Sequence, residues 1–151
     1  WPSELEYINC MNYKKNFYKK PFIKNVKIKK INDENHILNG ECGLYAKSKI
    51  SKYDVLGEYT GKITSNGGTY VAGFVGLEKT NYYGVDAETA GNELRFINDY
   101  RNIKKNPNTI LKNTFIDKRP KILVIATEDI EPEQEILLNY GDDYYNCYIK
   151  K

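Results

Sequence analysis

Gly91-Asn92-Glu93-Leu94-Arg95-Phe96-Ile97-Asn98 and, further along, Asn139-Tyr140-Gly141-Asp142-Asp143-Tyr144 are the stretches on which the reading of this chain turns. Three shorter segments stand upstream of them: Cys42-Gly43-Leu44-Tyr45-Ala46, Leu56-Gly57-Glu58-Tyr59-Thr60-Gly61 and Val85-Asp86-Ala87. Alone, a glycine-flanked turn or an Asn-Tyr-Gly triplet carries little information. Their fixed order along one chain carries much more.

The surrounding pattern is one of short strands. Val26 and Ile28 alternate with Lys27 and Lys29, as in a half-exposed strand. Asn39 to Gly43 reads as a turn, with short strands expected over Leu44–Ala46, Val55–Gly61 and Tyr82–Asp86. Asn66-Gly67-Gly68 reads as a hairpin tip leading into Thr69-Tyr70-Val71. Glu88–Ile97 is the best helical stretch, although Gly91 weakens it. Three further strands are expected over Thr109–Phe115, Lys121–Ala126 and Glu135–Asn139. The middle one is apolar on both faces and predicts burial. Many short strands with little helix give a mainly β fold.

Composition limits the chemistry. The chain has 151 residues, 40% hydrophobic and 28% charged, which fits one globular domain with a short arm. No apolar run approaches the ~20 residues of a membrane helix, so no membrane partner is expected. The chain starts at Trp1 without a basic-then-apolar leader, which reads as an excised domain or a processed product. His36 is the only histidine, and the three cysteines are scattered at 10, 42 and 147. They leave almost no material for a Ser-His-Asp triad or a multi-histidine metal centre, and three scattered cysteines do not suggest a disulfide framework or a zinc knuckle. The net charge is only +3, but eight lysines and no acid fall between Tyr7 and Asn32. Acids gather instead over Glu128–Glu135 and at Asp142-Asp143.

With these limits set, the ordered segments resemble the SET domain of protein lysine methyltransferases, from about Ile23 to Tyr145. The resemblance implies a fold of small curved sheets of short strands, with the C-terminal segment threaded under an earlier loop as a pseudoknot. It divides the chain into an N-terminal Lys/Tyr-rich flanking arm (1–23), the SET domain (24–145) and a short tail (146–151). Residues 1–23 carry no clean period and leave room for a short helix. Residues 62–81 fall where the family carries its variable insert. The implied activity is methyl transfer from S-adenosyl-L-methionine to a deprotonated lysine amine, in line, through a tyrosine-lined channel, leaving S-adenosyl-L-homocysteine.

The resemblance also assigns roles. Tyr140 matches the usual catalytic tyrosine, and Tyr59 matches a second one lining the lysine channel. Glu41, Cys42, Gly43, Leu44 and Tyr45 match the first glycine-containing loop at the cofactor, where glycine permits close backbone approach. Arg95, Phe96, Asn98 and Asp99, together with Tyr140, complete the implied cofactor set. Asn98 matches the asparagine at the cofactor's methionine end. Leu138 and Leu111 fall where family members limit the number of methyls added. Leucine there leaves room for di- or trimethylation.

The chain departs from the family in one run. His-Ser-Cys usually follows the Arg-Phe-Ile-Asn motif; here the residues are Asp99-Tyr100-Arg101. In many members that cysteine joins a Cys-rich tail to bind zinc. This tail has only Cys147, so no zinc is expected, and Tyr144, Tyr145 and Tyr148 are expected to close the site by aromatic packing. Cys42 stands where an aromatic or long side chain is common, and by default reads as a small buried residue.

The implied substrate is a basic lysine-containing peptide, with a histone tail as the first reading and nuclear localisation following from it. Nucleosomal DNA would then contact Lys14, Lys15, Lys19, Lys20, Lys24 and Lys27. A non-histone protein substrate and a non-catalytic SET-like binding module are the alternatives.

Overall fold

The computed structural model describes residues 1–8, 23, 25–74 and 83–146. Most of the Lys-rich arm, part of the 62–81 spacer and the last five residues lie outside the described residues. Twelve short strands are described: β1 (Glu6–Tyr7), β2 (Val26–Lys30), β3 (Cys42–Ala46), β4 (Val55–Glu58), β5 (Lys62–Thr64), β6 (Val71–Gly73), β7 (Gly84–Asp86), β8 (Ala90–Gly91), β9 (Asn98–Asp99), β10 (Thr109–Ile116), β11 (Arg119–Ala126) and β12 (Leu137–Leu138). A 3-10 turn spans Glu93–Phe96, and one helical turn, α1, spans Asp142–Tyr144. The fold is mainly β, as its strand-rich sequence predicts.

The strands form five small sheets: β1–β8, β2–β3, β5–β7–β6, β9–β12 and β10–β11–β4. Their inner faces meet in one core that includes Leu44, Leu56, Val85, Leu94, Ile97, Val124 and Ile136. β11 lies between β10 and β4, so Ile122, Val124 and Ala126 are buried while Leu123 and Ile125 are half-buried. The two-faced apolar pattern of this strand follows from that central position.

Local signals misplace two elements. The helix expected over Glu88–Ile97 is a strand followed by a 3-10 turn, because Ala90–Gly91 pair in parallel with Glu6–Tyr7. Asn92 then caps the turn, its Oδ1 accepting from Leu94 N at 3.2 Å and its Nδ2 donating to Glu58 O at 2.7 Å. No helix forms over residues 1–8; this part of the arm joins the body, with Trp1 packed edge-on against Tyr7 and Phe96. The Asn66-Gly67-Gly68 turn does not close a hairpin, because β5 and β6 each pair with β7 instead of with one another. Gly61 makes this possible: a Cβ there would lie 2.2 Å from Asp86 O.

The C-terminal half is threaded. β12 runs parallel to β9, with Leu137 opposite Asn98 and Leu138 opposite Asp99, and Tyr100 N donates to Leu138 O at 2.9 Å. On its other edge, Asn108 Nδ2 donates to Glu135 O and Asn108 Oδ1 accepts from Leu137 N, both at 2.8 Å. Thr109 Oγ1 donates to Leu137 O, also at 2.8 Å. Residues 135–138 therefore pass between the two ends of the 98–109 loop. The strand expected over Glu135–Asn139 is cut to two residues because side chains, not a second backbone strand, satisfy that outer edge.

Candidate active site

Threading sets the Arg95–Asp99 segment against Asn139–Gly141, and two clefts open on either side of the join. The larger is a cavity of about 330 Å³. Ile37, Leu38, Glu41 and Cys42, from the loop before β3 and its first residue, form one wall. Phe96, Asn98, Asp99 and Arg101 form another, and Tyr140 and Tyr144 the end. The smaller cleft, about 160 Å³, is lined by Tyr59, Ile97, Leu111 and Leu138, and by β6. Thr69, Tyr70, Arg95, Tyr140 and Tyr144 line both.

At the junction each ring is held. Tyr140 is packed edge-on against Tyr144, with centroids 4.9 Å apart. Its hydroxyl donates to Ile97 O, and its backbone N donates to Asp99 Oδ2 at 2.8 Å. Tyr59 donates its hydroxyl to Tyr70 O at 2.9 Å. Burial pushes both phenols well above the ordinary value of 10.0, and in Tyr59 the Arg95 charge opposes the rise. Both therefore stay protonated near neutral pH. Arg95 is fixed by Nε donating to Ala87 O at 2.8 Å, with its guanidinium 4.4 Å from the Tyr70 ring and 4.8 Å from that of Phe96.

Of the residues expected at the cofactor, Glu41, Cys42, Arg95, Phe96, Asn98, Asp99 and Tyr140 line the larger cavity. Gly43, Leu44 and Tyr45 do not. Leu44 is fully buried in the core. Tyr45 lies under the Lys29 ammonium, and burial together with Glu135 pushes its phenol up to about 12. Gly43 makes close approach possible, but to protein: a Cβ would lie 2.7 Å from Glu135 Oε1 and 3.2 Å from Asn98 Nδ2. Cys42 is exposed at the cavity wall, not buried, because β3 turns its first residue outward. Leu138 and Leu111 both line the smaller cleft beside Tyr59 and Tyr140.

The Asp99-Tyr100-Arg101 departure forms a connected group. Arg101 Nη1 pairs with Asp99 Oδ2 at 3.0 Å and Nη2 with Asp142 Oδ1 at 2.6 Å. Its guanidinium also stacks on Tyr145 at 4.8 Å. Asp99 is thus neutralised inside the cavity, and α1 is tied over its mouth. Among the described residues, no group of three or more His, Cys, Asp or Glu is placed to hold a metal.

Lys27 pairs with Glu133, which also takes Lys29 at 2.8 Å. The two lysines hold the Glu133 carboxyl down at about 2. Lys14, Lys15, Lys19, Lys20 and Lys24 lie outside the described residues, as do Tyr148 and Cys147. Residue-type reasoning did not single out Tyr70, Glu135 or His36. Tyr70 lies next to the Gly67-Gly68 turn, Glu135 within an acidic run, and the lone histidine counted only against a triad.

A mainly β chain with a threaded C-terminal segment and a half-buried tyrosine between two clefts defines the class, and the family comparison gives it a name. The SET domain model matches residues 41–141, and the chain belongs to that family. It is similar to the histone-lysine N-methyltransferase EZA1 of Arabidopsis thaliana, 27% identical over an alignment of 119 residues that covers 72% of this chain and 13% of that protein. In structure it is similar to the Chaetomium thermophilum polycomb repressive complex 2, with a TM-score of 0.65 and 27% identity over 83% of this chain and 16% of the matched one. The same complex in an autoinhibited conformation bound to S-adenosylmethionine matches with a TM-score of 0.61 and 28% identity, over 80% and 15%. The chain thus spans less than one fifth of the length of these relatives.

Proposed function

We propose that this domain is an S-adenosylmethionine-dependent protein lysine N-methyltransferase acting on a histone lysine in the nucleus. The observation that carries the reading is the meeting of two clefts at Tyr140, one of about 330 Å³ that reaches Asn98 and Phe96 and one of about 160 Å³ that reaches Tyr59, Leu111 and Leu138. When bound, S-adenosylmethionine supplies an electrophilic methyl group. The larger cavity suits it in size and in donor set. Asn98 offers hydrogen bonding for the amino-acid end, and Phe96, Tyr140 and Tyr144 offer aromatic faces that favour a cation.

The smaller cleft suits a lysine side chain. Tyr59, Leu111 and Leu138 exclude water around the aliphatic stem, which lowers the cost of losing the ammonium proton. Tyr140 and Tyr59, kept protonated by burial, orient the amine and do not act as bases. Neither leucine carries a hydroxyl to hold a blocking water, so di- or trimethyl product is the proposed outcome. Similarity to histone-lysine methyltransferases supports a histone substrate, and the Lys-rich arm supports contact with nucleosomal DNA.

The test is incubation with labelled S-adenosylmethionine and recombinant nucleosomes, beside a Tyr140→Phe variant. Label on a histone band that is lost in the variant is the expected result. Donor binding without histone label would move the substrate to another protein. Absence of donor binding would leave a non-catalytic module.

A further inference from the structure

Behind the larger cavity lies a closed polar group that the methyl-transfer chemistry does not use. Glu135 is 7% exposed and sits at the start of the threaded segment. Its Oε1 accepts from Asn98 Nδ2 at 3.0 Å, and its Oε2 lies 3.0 Å from His36 Nε2. Asn98 Nδ2 also donates to Cys42 O at 3.3 Å. Cys42 O and the Glu135 carboxylate are both acceptors, so the amide nitrogen of Asn98 must face them. Both of its hydrogens are then spent, and only Oδ1 is left for a ligand.

The histidine is fixed by similar reasoning. Leu38 N donates to His36 Nδ1 at 3.1 Å, so that nitrogen carries no proton. The ring proton is on Nε2 and is donated to Glu135. Each carboxylate oxygen therefore has a donor, and the Tyr45 hydroxyl is a further hydrogen-bond partner of the same carboxylate. Gly43 leaves the space in which the carboxylate and the amide meet.

We infer that Glu135 and His36 are positioning residues that lock the Asn98 amide with its oxygen toward the cavity, so that the site selects ligands carrying an α-ammonium group. The inference rests on the methyl-donor reading of that cavity. Glu135 acts through Asn98, and His36 acts through Glu135 while holding the Ile37–Leu38 wall next to it.

The test uses calorimetry with S-adenosylhomocysteine and with 5′-methylthioadenosine, which lacks the amino-acid end. Glu135→Gln keeps the shape but leaves one acceptor oxygen where the carboxylate has two. It should weaken S-adenosylhomocysteine about tenfold, while 5′-methylthioadenosine changes by less than about twofold. Adding His36→Ala removes one competing donor, the other being the Tyr45 hydroxyl, and opens the glutamine oxygen to Asn98. The double variant should recover to within about threefold of the unaltered chain. Equal weakening of both ligands, or a double variant worse than Glu135→Gln alone, would overturn the inference. So would unchanged binding of both ligands by Glu135→Gln.

A ligand-free readout separates this from the methyl-donor reading. The Asn98 side-chain amide should give two resolved, slowly exchanging proton signals in the unaltered chain and faster exchange in Glu135→Gln. If the unaltered chain binds neither ligand, the methyl-donor reading falls and the selectivity claim with it. The amide signals still decide whether Glu135 locks Asn98. Fast exchange in the unaltered chain refutes the lock even where both ligands bind.

Discussion

The floor and the rim of the larger cavity are built in different ways. The floor is the threaded join of β9 and β12. There Asn108, Thr109 and Glu135 are buried, and each is hydrogen-bonded to backbone or to an internal side chain. The rim is the turn at 142–146, held by Arg101 to an Asp142 side chain that is 89% exposed and by Tyr144 against the Tyr140 ring. Buried pairs are little screened and costly to break, whereas an exposed ion pair contributes at most ~1 kcal/mol and weakens with salt. The floor is therefore suited to setting geometry, and the rim to setting how firmly the cavity is closed.

Tyr140→Phe tests the floor most severely. Turnover should fall about a hundredfold while donor affinity changes little, as expected for a group that orients the reacting amine. Single-turnover kinetics beside calorimetry separate the two effects; a large loss of affinity would place Tyr140 in ligand binding instead.

Gly43→Ala forces a Cβ between Glu135 and Asn98. We expect donor affinity to drop about tenfold and the fold to lose about 1–3 kcal/mol, the usual cost of overpacking. A denaturant melt and a binding isotherm measure both. An unchanged isotherm would show that the floor yields more easily than its contacts imply.

Asp142→Ala tests the rim, because it removes the exposed half of the pair and leaves Arg101 on Asp99. It should weaken donor binding about threefold, and the unaltered chain should show a similar loss at about 1 M salt, where the screening length is roughly 3 Å. Salt dependence that persists unchanged in the variant would separate closure from this ion pair.

Leu138→Tyr has the smallest expected effect on rate and the clearest effect on product, shifting mass spectra from di- and trimethyl towards monomethyl lysine. The rising limb of the pH–rate profile, on which turnover grows as the amine loses its proton, offers a finer comparison. Because burial raises the phenols above 10.0, a limb between about pH 7 and 9 belongs to the substrate amine. Tyr140→Phe should lower the profile without moving that limb.

The mainly β class, the buried strand through Ile122–Ala126 and the motif order that matches the SET family were legible in the sequence. Strand propensity and apolar alternation are local properties, and the motifs carry their own order. The Glu88–Ile97 stretch was not legible, because Ala90–Gly91 find their partners at Glu6–Tyr7, which no local window contains. Turn chemistry at Gly67-Gly68 could not show that β7 takes the middle of its sheet. Glu135 looked like one acid among many until threading buried it beside Asn98.

Sequence by itself determined which side chains are available: one histidine, many tyrosines, and Asp99 and Arg101 where family members carry histidine and cysteine. Only the tertiary structure decided which of them meet. Asn98, Glu135 and His36 are far apart along the chain, and the energy of their contact depends on distances of about 3 Å that threading alone sets. It also decided that Gly43 makes room for a carboxylate and not directly for a ligand, because a missing Cβ acquires meaning only from the atoms packed against it.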